Sequence, residues 1–301
     1  MVFILGSYGK KIKMQSAMEY LMTYSWAILI IVIVLSILFY FGVFNPNFWA
    51  PKASPGSCHV SRPYGPKTTS LITFEGECID ALPEFVMHTT GLGQSFATVT
   101  QPDLFGTYNS FTVSFWVEPT GTKVSDWAIP MSSFSIFRFQ STFGAEYSGM
   151  QLTYQIGYSN TGPGNLPSSF KLLFNNWYFV ALTYDGQNAY YYVNGQLINE
   201  MPFSSSGFGN PSSLQIGTLY GSVSEWNGSL SNIQMYNTSL SSNDIAILYS
   251  EGIGGRPTNL QALSGWWPLN GNVTDYSGNN NGGVAKAVLF DNTWWYSYSA
   301  P

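Results

Sequence analysis

The chain begins with a long apolar segment that has no polar face. No charged residue occurs from Tyr20 to Pro51, and residues 26–44 form an almost wholly apolar core of 19 residues. At about 1.5 Å per residue, a helix of that length spans the bilayer's hydrocarbon core, which is about 30 Å thick. A helix also satisfies its own backbone hydrogen bonds in lipid. We therefore predict a transmembrane helix with its core at residues 26–44, which Asn45-Pro46 ends.

Lysines flank only the N-terminal end of this segment. Lys10, Lys11 and Lys13 precede it, and no basic residue follows before Lys52. Positive charge close to a membrane span stays on the cytoplasmic side. We therefore expect a single-pass protein of the cell membrane, with its N-terminus inside and everything beyond residue 45 outside.

A different pattern follows the apolar segment. Residues 45–69 are rich in Pro, Gly, Ser and Lys, which predicts a linker.

From residue 70 onward, short apolar and aromatic runs are separated by polar turns, and Asn194-Gly195 is a type I′ hairpin signal. Only residues 241–250 have a helical pattern. The predicted strands are 70–75, 111–118, 134–139, 150–157, 177–184, 189–193, 213–217 and 230–236. Many short strands without intervening helices predict a mainly β protein, either a sandwich or a jelly roll.

Composition narrows the possible functions. Charged residues make up 9% of the chain, against roughly 25% in an average soluble domain. The net charge is −5 and no basic cluster follows residue 13, so nucleic acid is not an expected partner. The acidic residues are dispersed, and His59 and His88 are isolated in the sequence. Because glycosidases need paired carboxylates, we predict that the protein is not an enzyme.

The two cysteines, Cys58 and Cys78, lie early in the predicted exterior part. In an oxidising exterior, a disulfide that closes a loop of this size stabilises the fold by about 3 kcal/mol. The alternative is a pair of free, buried thiols.

The N-terminal region resembles the class III signal of archaeal type IV pilin-like proteins. The resemblance lies in Lys10-Lys-Ile-Lys-Met14, then Gln15-Ser-Ala-Met-Glu-Tyr-Leu21, and then the apolar helix. It implies that a membrane peptidase cuts between Met14 and Gln15, which leaves a leader of residues 1–14 and the helix of residues 15–44. Glu19 would then be the fifth mature residue and could pair with the α-amino group of a neighbouring subunit. One departure is Met14, since the residue before the cut is usually small.

The exterior region resembles the laminin-G-like, concanavalin A-like jelly roll. The matching strings are Ser110–Glu118, Trp177–Gly186, Tyr190–Gly195, Leu214–Gly217, Trp226–Tyr236 and Leu240–Tyr249. Gly265–Asn270 and Asp275–Asn281 look like the opening strand and loop of the same family, although here they come last. We expect one jelly-roll domain over residues 70–301, to which the tail of residues 264–301 adds strands. A truncated second copy is the alternative.

Three kinds of candidate site follow. Asp275, Asn279 and Asn281 alternate oxygen-bearing side chains on a Gly-containing loop, and the family resemblance suggests calcium there; an Asx-rich turn is the alternative. Exposed tryptophans could stack on sugars, as in lectins. The candidates are Trp226, Trp266 and Trp267, with Trp294 and Trp295 as further choices. The N-x-S/T sequons at Asn227, Asn237 and Asn272 are candidate glycosylation sites.

Together these features predict a pilin-like subunit of the cell surface. Its helix would anchor it in the membrane and then join like subunits in an extracellular filament. Its jelly roll would serve adhesion by binding surface glycans or proteins. The alternative is an uncleaved, single-pass, lectin-like protein that does not polymerise.

Overall fold

The computed structural model describes residues 13–41, 43, 51–79, 81–92, 94–100, 104, 109–120, 127–133, 135–143, 149–157, 170–204, 208–209, 213–219 and 224–301. The chain divides into two compact units, Met1–Trp49 and Ala50–Pro301. Each unit is described by itself.

The described residues of the first unit form helix α1 at Lys13–Tyr40. From Tyr24 to Tyr40 every side chain is exposed except Leu38, so the helix has apolar side chains open on all faces. In the part of the chain that the structure describes, no helix is assigned as a membrane span. The predicted helix is thus present, whereas its role as a span is not shown. Residues 1–12 of the predicted leader, and residues 44–50, lie outside the described residues.

Among the described residues of the second unit, most of the regular secondary structure is β-strand. The α-helix found there, α2 at Ser242–Ser250, follows the long strand β16. The strands are β1 (Lys52–Ala53), β2 (Cys58–Ser61), β3 (Thr73–Gly76), β4 (Leu82–Pro83), β5 (Val86–Thr90), β6 (Phe96–Val99), β7 (Phe111–Pro119), β8 (Trp127–Ser133), β9 (Phe137–Phe143), β10 (Gly149–Ile156), β11 (Lys171–Leu173), β12 (Tyr178–Tyr184), β13 (Asn188–Val193), β14 (Gln196–Pro202), β15 (Leu214–Ile216), β16 (Asn227–Tyr236), β17 (Leu263–Trp267), β18 (Val284–Lys286) and β19 (Leu289–Asp291).

Two antiparallel sheets form a sandwich. The first sheet has the order β11-β10-β9-β8-β15-β6-β18, and the second has the order β14-β13-β12-β7-β16-β5-β19. The main apolar core contains side chains from both sheets, including Phe115, Phe139 and Leu182. A second apolar cluster packs on the other face of the second sheet around Trp116, under α2 and the tail. Because this sheet is covered on both faces, nearly every residue of its central strands β7, β12 and β16 is buried, polar residues included.

Strand β16 holds the tail in the second sheet. Its first part, Asn227–Leu230, pairs with β5, and its later part, Ile233–Tyr236, pairs with β17 along the same edge. A register shift against β7 separates the two parts. Asn232 lies at this irregularity with φ +49°, a left-handed conformation that Asn tolerates. Strands β18 and β19 pair with β6 and β5, so the tail adds strands to both sheets of one sandwich.

The structure tests the predicted hairpin turn, disulfide and linker. Asn194 and Gly195 both have positive φ between β13 and β14, as a type I′ turn requires. The disulfide between Cys58 and Cys78 is confirmed, and it joins β2 to the residues just after β3. The prediction of a linker is wrong for residues 52–53 and 58–61. They form β1, which pairs with β4, and β2, which pairs with β3, because partners distant in sequence supply their hydrogen bonds.

Candidate functional site

The loop after β17 is fastened to that strand by Asp275. Its Oδ1 accepts hydrogen bonds from the backbone N–H of Trp266 (3.0 Å) and of Ser277 (2.9 Å). Its Oδ2 accepts one from the N–H of Asn281 (2.8 Å). Each oxygen of the carboxylate is therefore engaged by the chain itself.

Asn279 and Asn281 fasten the same loop from its other end. The Asn279 amide donates to the carbonyl oxygens of Leu263 (2.9 Å) and Ser264 (3.2 Å), and its oxygen accepts from the N–H of Lys67 (2.8 Å). The Asn281 amide donates to the Ser264 carbonyl at 2.7 Å. These are the contacts of an Asx-rich structural turn.

Calcium at this loop stays a prediction from the sequence. Within the described ranges, no group of three or more His, Cys, Asp and Glu side chains is placed to hold a metal. A cation at Asp275 would have to compete with three backbone N–H donors. We therefore do not base the function of the protein on this loop.

The prediction that Trp226, Trp266 and Trp267 stack on sugars is wrong. Their exposed fractions are 0%, 3% and 0%, so no ring face is open to a ligand. Trp266 donates from its indole nitrogen to Asn232, and Trp267 donates to the carbonyl of Asn281. The sequence could not reveal this burial, because these residues lie where a sheet is covered on both faces.

The two remaining candidate tryptophans, both in the tail, differ from one another. Trp294 is buried in the outer cluster. Trp295 is partly exposed, and its ring stacks on the exposed ring of Tyr296 with 3.7 Å between centroids.

Two of the predicted loop residues line an open polar depression, which we call the inner groove. It has a volume of about 390 Å³. Its lining consists of Arg62, Lys67, Thr69, Asn237, Gln261, Leu263, Ser264, Asn279 and Asn281. Amides and hydroxyls dominate this set, and no carboxylate occurs in it among the described residues.

A second depression, the outer groove, shares Thr69 and Gln261 with the inner one. It has a volume of about 550 Å³ and is wider and more open. Its one acidic residue, Asp244, accepts hydrogen bonds from the N–H and hydroxyl of Ser241 at the start of α2. The two depressions therefore adjoin one another at Thr69 and Gln261.

Several polar atoms of the inner groove are not used by the fold. The hydroxyl of Ser264 is buried and has no hydrogen-bond partner among the described residues. In the same part of the chain, the exposed side chains of Asn237, Gln261 and Thr69 also make no hydrogen bond. The Ser264 hydroxyl is itself closed to a ligand by its burial. The exposed side chains of Asn237, Gln261 and Thr69 offer donors and acceptors that a polar ligand can satisfy.

Arg62 builds the wall of the inner groove. Its guanidinium donates to the carbonyl oxygens of Ser277 (2.8 Å), Leu260 (3.0 Å) and Leu263 (3.1 Å), and also to that of Thr68. These bonds join β2 to the loops on either side of β17. Burial lowers the pKa of the Arg62 guanidinium, while the charge of Asp275 acts in the opposite direction. An arginine nevertheless stays protonated at physiological pH.

The three sequons differ in their surroundings. Asn237 is exposed at the inner groove, just after β16. Asn272 is half-buried, and its amide contacts the hydroxyl of Tyr276. Asn227 is half-buried within β16. Glycosylation at all three stays a prediction.

Helix α1 includes the pilin-like residues Met14, Gln15 and Glu19. Their side chains are outside what the structure describes. Cleavage and assembly stay predictions.

One buried polar cluster was not foreseen from the sequence. Nδ1 of His88 lies 3.2 Å from the hydroxyl of Ser229, and the Glu118 carboxyl hydrogen-bonds Ser229 and Ser297. Burial raises the pKa of Glu118 and lowers that of His88. Ser229 is 2% exposed, so this cluster is closed to a ligand. Glu118, Ser229 and His88 lie side by side on β7, β16 and β5. The pairing register that brings them together cannot be predicted from their spacing in the sequence.

The two packed antiparallel sheets define a jelly-roll protein of the concanavalin A-like class. Residues 91–246, just over half of the chain, match the Laminin_G_3 family, described as the concanavalin A-like lectin/glucanases superfamily. The chain belongs to this family. Of the inner groove, only Asn237 lies inside the matched segment, so the groove is built mainly by residues outside it.

Solved structures resemble this fold at low sequence identity. One is a Bacteroides ovatus protein described as a candidate carbohydrate-binding protein, with 16% identity and a TM-score of 0.52 over 73% of this chain. The match spans 63% of that protein's length. Another is the heptameric SAP-like pentraxin of Limulus polyphemus, with 17% identity and a TM-score of 0.50 over 70% of this chain and 96% of the pentraxin. No curated protein matches the sequence significantly.

Proposed function

We propose that this chain is a cell-surface, carbohydrate-binding protein whose jelly roll holds its ligand in the inner groove. The observation that carries the proposal is the set of exposed, unused polar side chains of Gln261, Asn237 and Thr69 in the groove. Amide and hydroxyl groups are the natural partners of sugar hydroxyls because each can both donate and accept. The groove volume of about 390 Å³ falls in the range of small-ligand sites.

A binding role fits this groove better than a catalytic one. Hydrolysis of a glycosidic bond needs two carboxyl groups on opposite sides of the bond. Among the described residues that line the inner groove there is no Asp or Glu. The fold class contains both lectins and glucanases. The side chains of the site, rather than the fold, therefore decide between a binding and a catalytic role.

The same proposal assigns the N-terminal helix to membrane anchoring and to pilin-like assembly. Its support is the charge-free stretch from Tyr20 to Pro51 and the Gln15–Leu21 string that follows three lysines. In addition, α1 has apolar side chains exposed on all its faces. A helix that is hydrophobic all round belongs in lipid or among other helices. The alternative is an uncleaved, single-pass, lectin-like protein that does not polymerise.

Binding is tested with the full-length protein in detergent on an array of saccharides, with and without calcium. We expect specific binding that falls about twofold to twelvefold in Gln261→Ala, since each lost hydrogen bond contributes about 0.5–1.5 kcal/mol. Gln187→Ala is the matched control, because Gln187 is exposed in the turn between β12 and β13. Absence of binding to any saccharide would refute the carbohydrate proposal.

The role of the helix is tested by mass spectrometry of the native N-terminus. A mature chain that begins at Gln15 supports the pilin-like route. An intact Met1 would favour the uncleaved, anchored alternative. A cut beyond residue 44 would exclude both, because the helix would be lost from the mature protein.

A further inference from the structure

The outer groove adjoins the inner groove through two side chains that line both. Thr69 and Gln261 are exposed and make no side-chain hydrogen bond among the described residues. The inner groove, at about 390 Å³, and the outer groove, at about 550 Å³, each have the volume of a small-ligand site. A ligand that bonds Thr69 and Gln261 from the inner groove therefore reaches the border of a second depression that can hold more of it.

The outer groove differs from the inner groove because it offers apolar side chains as well as polar ones. Leu71, Ile72 and Leu260 line it, and the side chain of Leu71 is 69% exposed. Asn259 is exposed in the same lining, and its Oδ1 accepts a hydrogen bond from the N–H of Ala262 (3.1 Å). Its amide nitrogen donates no hydrogen bond within the described part of the chain. The outer groove thus has an apolar surface beside a hydrogen-bond donor.

Leu71 occupies an unusual backbone conformation in the segment between β2 and β3. Its φ is +54°, in the left-handed region that aliphatic residues rarely adopt. Burial does not explain a leucine at this position, because most of its side chain lies in solvent. Strained backbone positions cluster at ligand-binding sites, where the strain places a side chain for its ligand. The conformation of Leu71 therefore supports a role for its side chain in binding.

A pyranose ring has the two kinds of surface that the grooves offer. Hydroxyl groups surround its rim and C–H groups cover its faces. We infer that the ligand is an oligosaccharide that crosses from the inner groove into the outer groove at Thr69 and Gln261. One sugar residue bonds the amides and hydroxyls of the inner groove, and a following residue packs its C–H face on Leu71. This inference rests on the proposed carbohydrate-binding function and extends the site of that function to a second subsite.

The test measures how the affinity of the full-length protein in detergent depends on the length of the sugar. The probes are the mono-, di- and tetrasaccharides of glucose, mannose and galactose, with the same lengths of any other sugar that the array selects. We expect the dissociation constant to fall as a sugar of the preferred type lengthens, because the outer groove adds contacts that a monosaccharide cannot reach. The fall should exceed the proportional gain that extra binding positions along a longer chain provide.

The variant Leu71→Gly removes apolar surface from the outer groove and leaves the lining of the inner groove unchanged. Glycine adopts a positive φ without strain, so the backbone can keep its conformation. We expect tetrasaccharide binding to weaken about threefold to tenfold, the change that covering about 30–50 Å² of apolar surface gives at about 25 cal/mol per Å². Monosaccharide binding should stay unchanged. Leu92→Gly is the matched control, because Leu92 is also 69% exposed and lines neither groove; melting temperatures show whether each variant is folded.

The possible outcomes separate the two proposals. Equal affinity for the monosaccharide and the tetrasaccharide, unchanged in Leu71→Gly, would overturn the second subsite and leave carbohydrate binding intact. Binding of none of the sugars, on the array or in these series, would overturn both proposals. A preference for the longer sugar that Leu71→Gly does not reduce, or that Leu92→Gly reduces as much, would overturn the assignment of the second subsite to the outer groove.

Discussion

Replacing Asp275 by Ala tests whether this carboxylate fastens the loop or binds calcium. In the structure Asp275 accepts three backbone hydrogen bonds that fasten the loop of residues 275–281 to β17. A hydrogen bond to a charged group contributes about 1.5–3 kcal/mol. Because the side chain is half-buried and water can replace it, we take about 1 kcal/mol for each bond, below that range. The expected loss in the free energy of unfolding is therefore about 3 kcal/mol.

The assay is thermal unfolding of the full-length protein in detergent, with calcium and with EDTA. The jelly-roll unit, Ala50–Pro301, has about 250 residues, for which 1 kcal/mol corresponds to about 2–4 °C. Asp275→Ala should thus lower the melting temperature by about 6–12 °C. This decrease should be the same in calcium and in EDTA. Glu200→Ala, at an exposed position of β14, is the control for lost charge and should stay within about 0.5 kcal/mol of the parent.

Calcium dependence would refute this reasoning. A cation present at 100 times its dissociation constant stabilises the folded state by about 2.7 kcal/mol. EDTA would then lower the melting temperature of the parent protein by several degrees and leave Asp275→Ala unchanged. That pattern would make Asp275 a metal ligand, as the sequence suggested.

Three further predictions follow from the structure. Cys58→Ser together with Cys78→Ser should lower the free energy of unfolding by about 3 kcal/mol; an equal denaturation midpoint with and without reductant in the parent would contradict this. Gly278→Ala should cost about 1–3 kcal/mol, because φ is +77° and the new Cβ would lie 2.7 Å from the carbonyl oxygen of Val60; an unchanged melting temperature would argue against it. Burial raises the pKa of Glu118 above its ordinary value of 4.5 in the folded state, so stability is full below that value and falls as pH rises through the folded-state pKa. Glu118→Gln should remove this decline in pH-dependent unfolding, and identical pH profiles of parent and variant would refute it.

Much of the fold could be read from local patterns. The hairpin at Asn194-Gly195, the strands around residues 111–118 and 178–184, and the helix at 242–250 all appear where the sequence predicted them. Each depends on its own residues, through turn conformation, β-propensity or the capping box at Ser241. The pairing of Cys58 with Cys78 needed only two cysteines in an oxidising exterior.

Other elements depend on partners that the sequence does not reveal. The sequence predicts a linker where the strands at 52–53 and 58–61 lie, because two to four residues carry no pattern without the strands they pair with. The burial of Trp226, Trp266 and Trp267 was missed for a related reason. Alternation identifies a face only when the other face is open to solvent, and here the second sheet is covered on both sides.

The sequence by itself determined that an apolar N-terminal helix precedes a mainly β, jelly-roll domain. The tertiary structure alone decided where that domain can hold a ligand. The inner groove joins Arg62 and Lys67 to Asn237, Gln261 and Asn281, residues that are up to about 220 positions apart. They meet because Val60 in β2 donates a backbone hydrogen bond to Tyr276 and Arg62 donates to Leu263 and Ser277. The cost of closing so long a loop grows only slowly with its length.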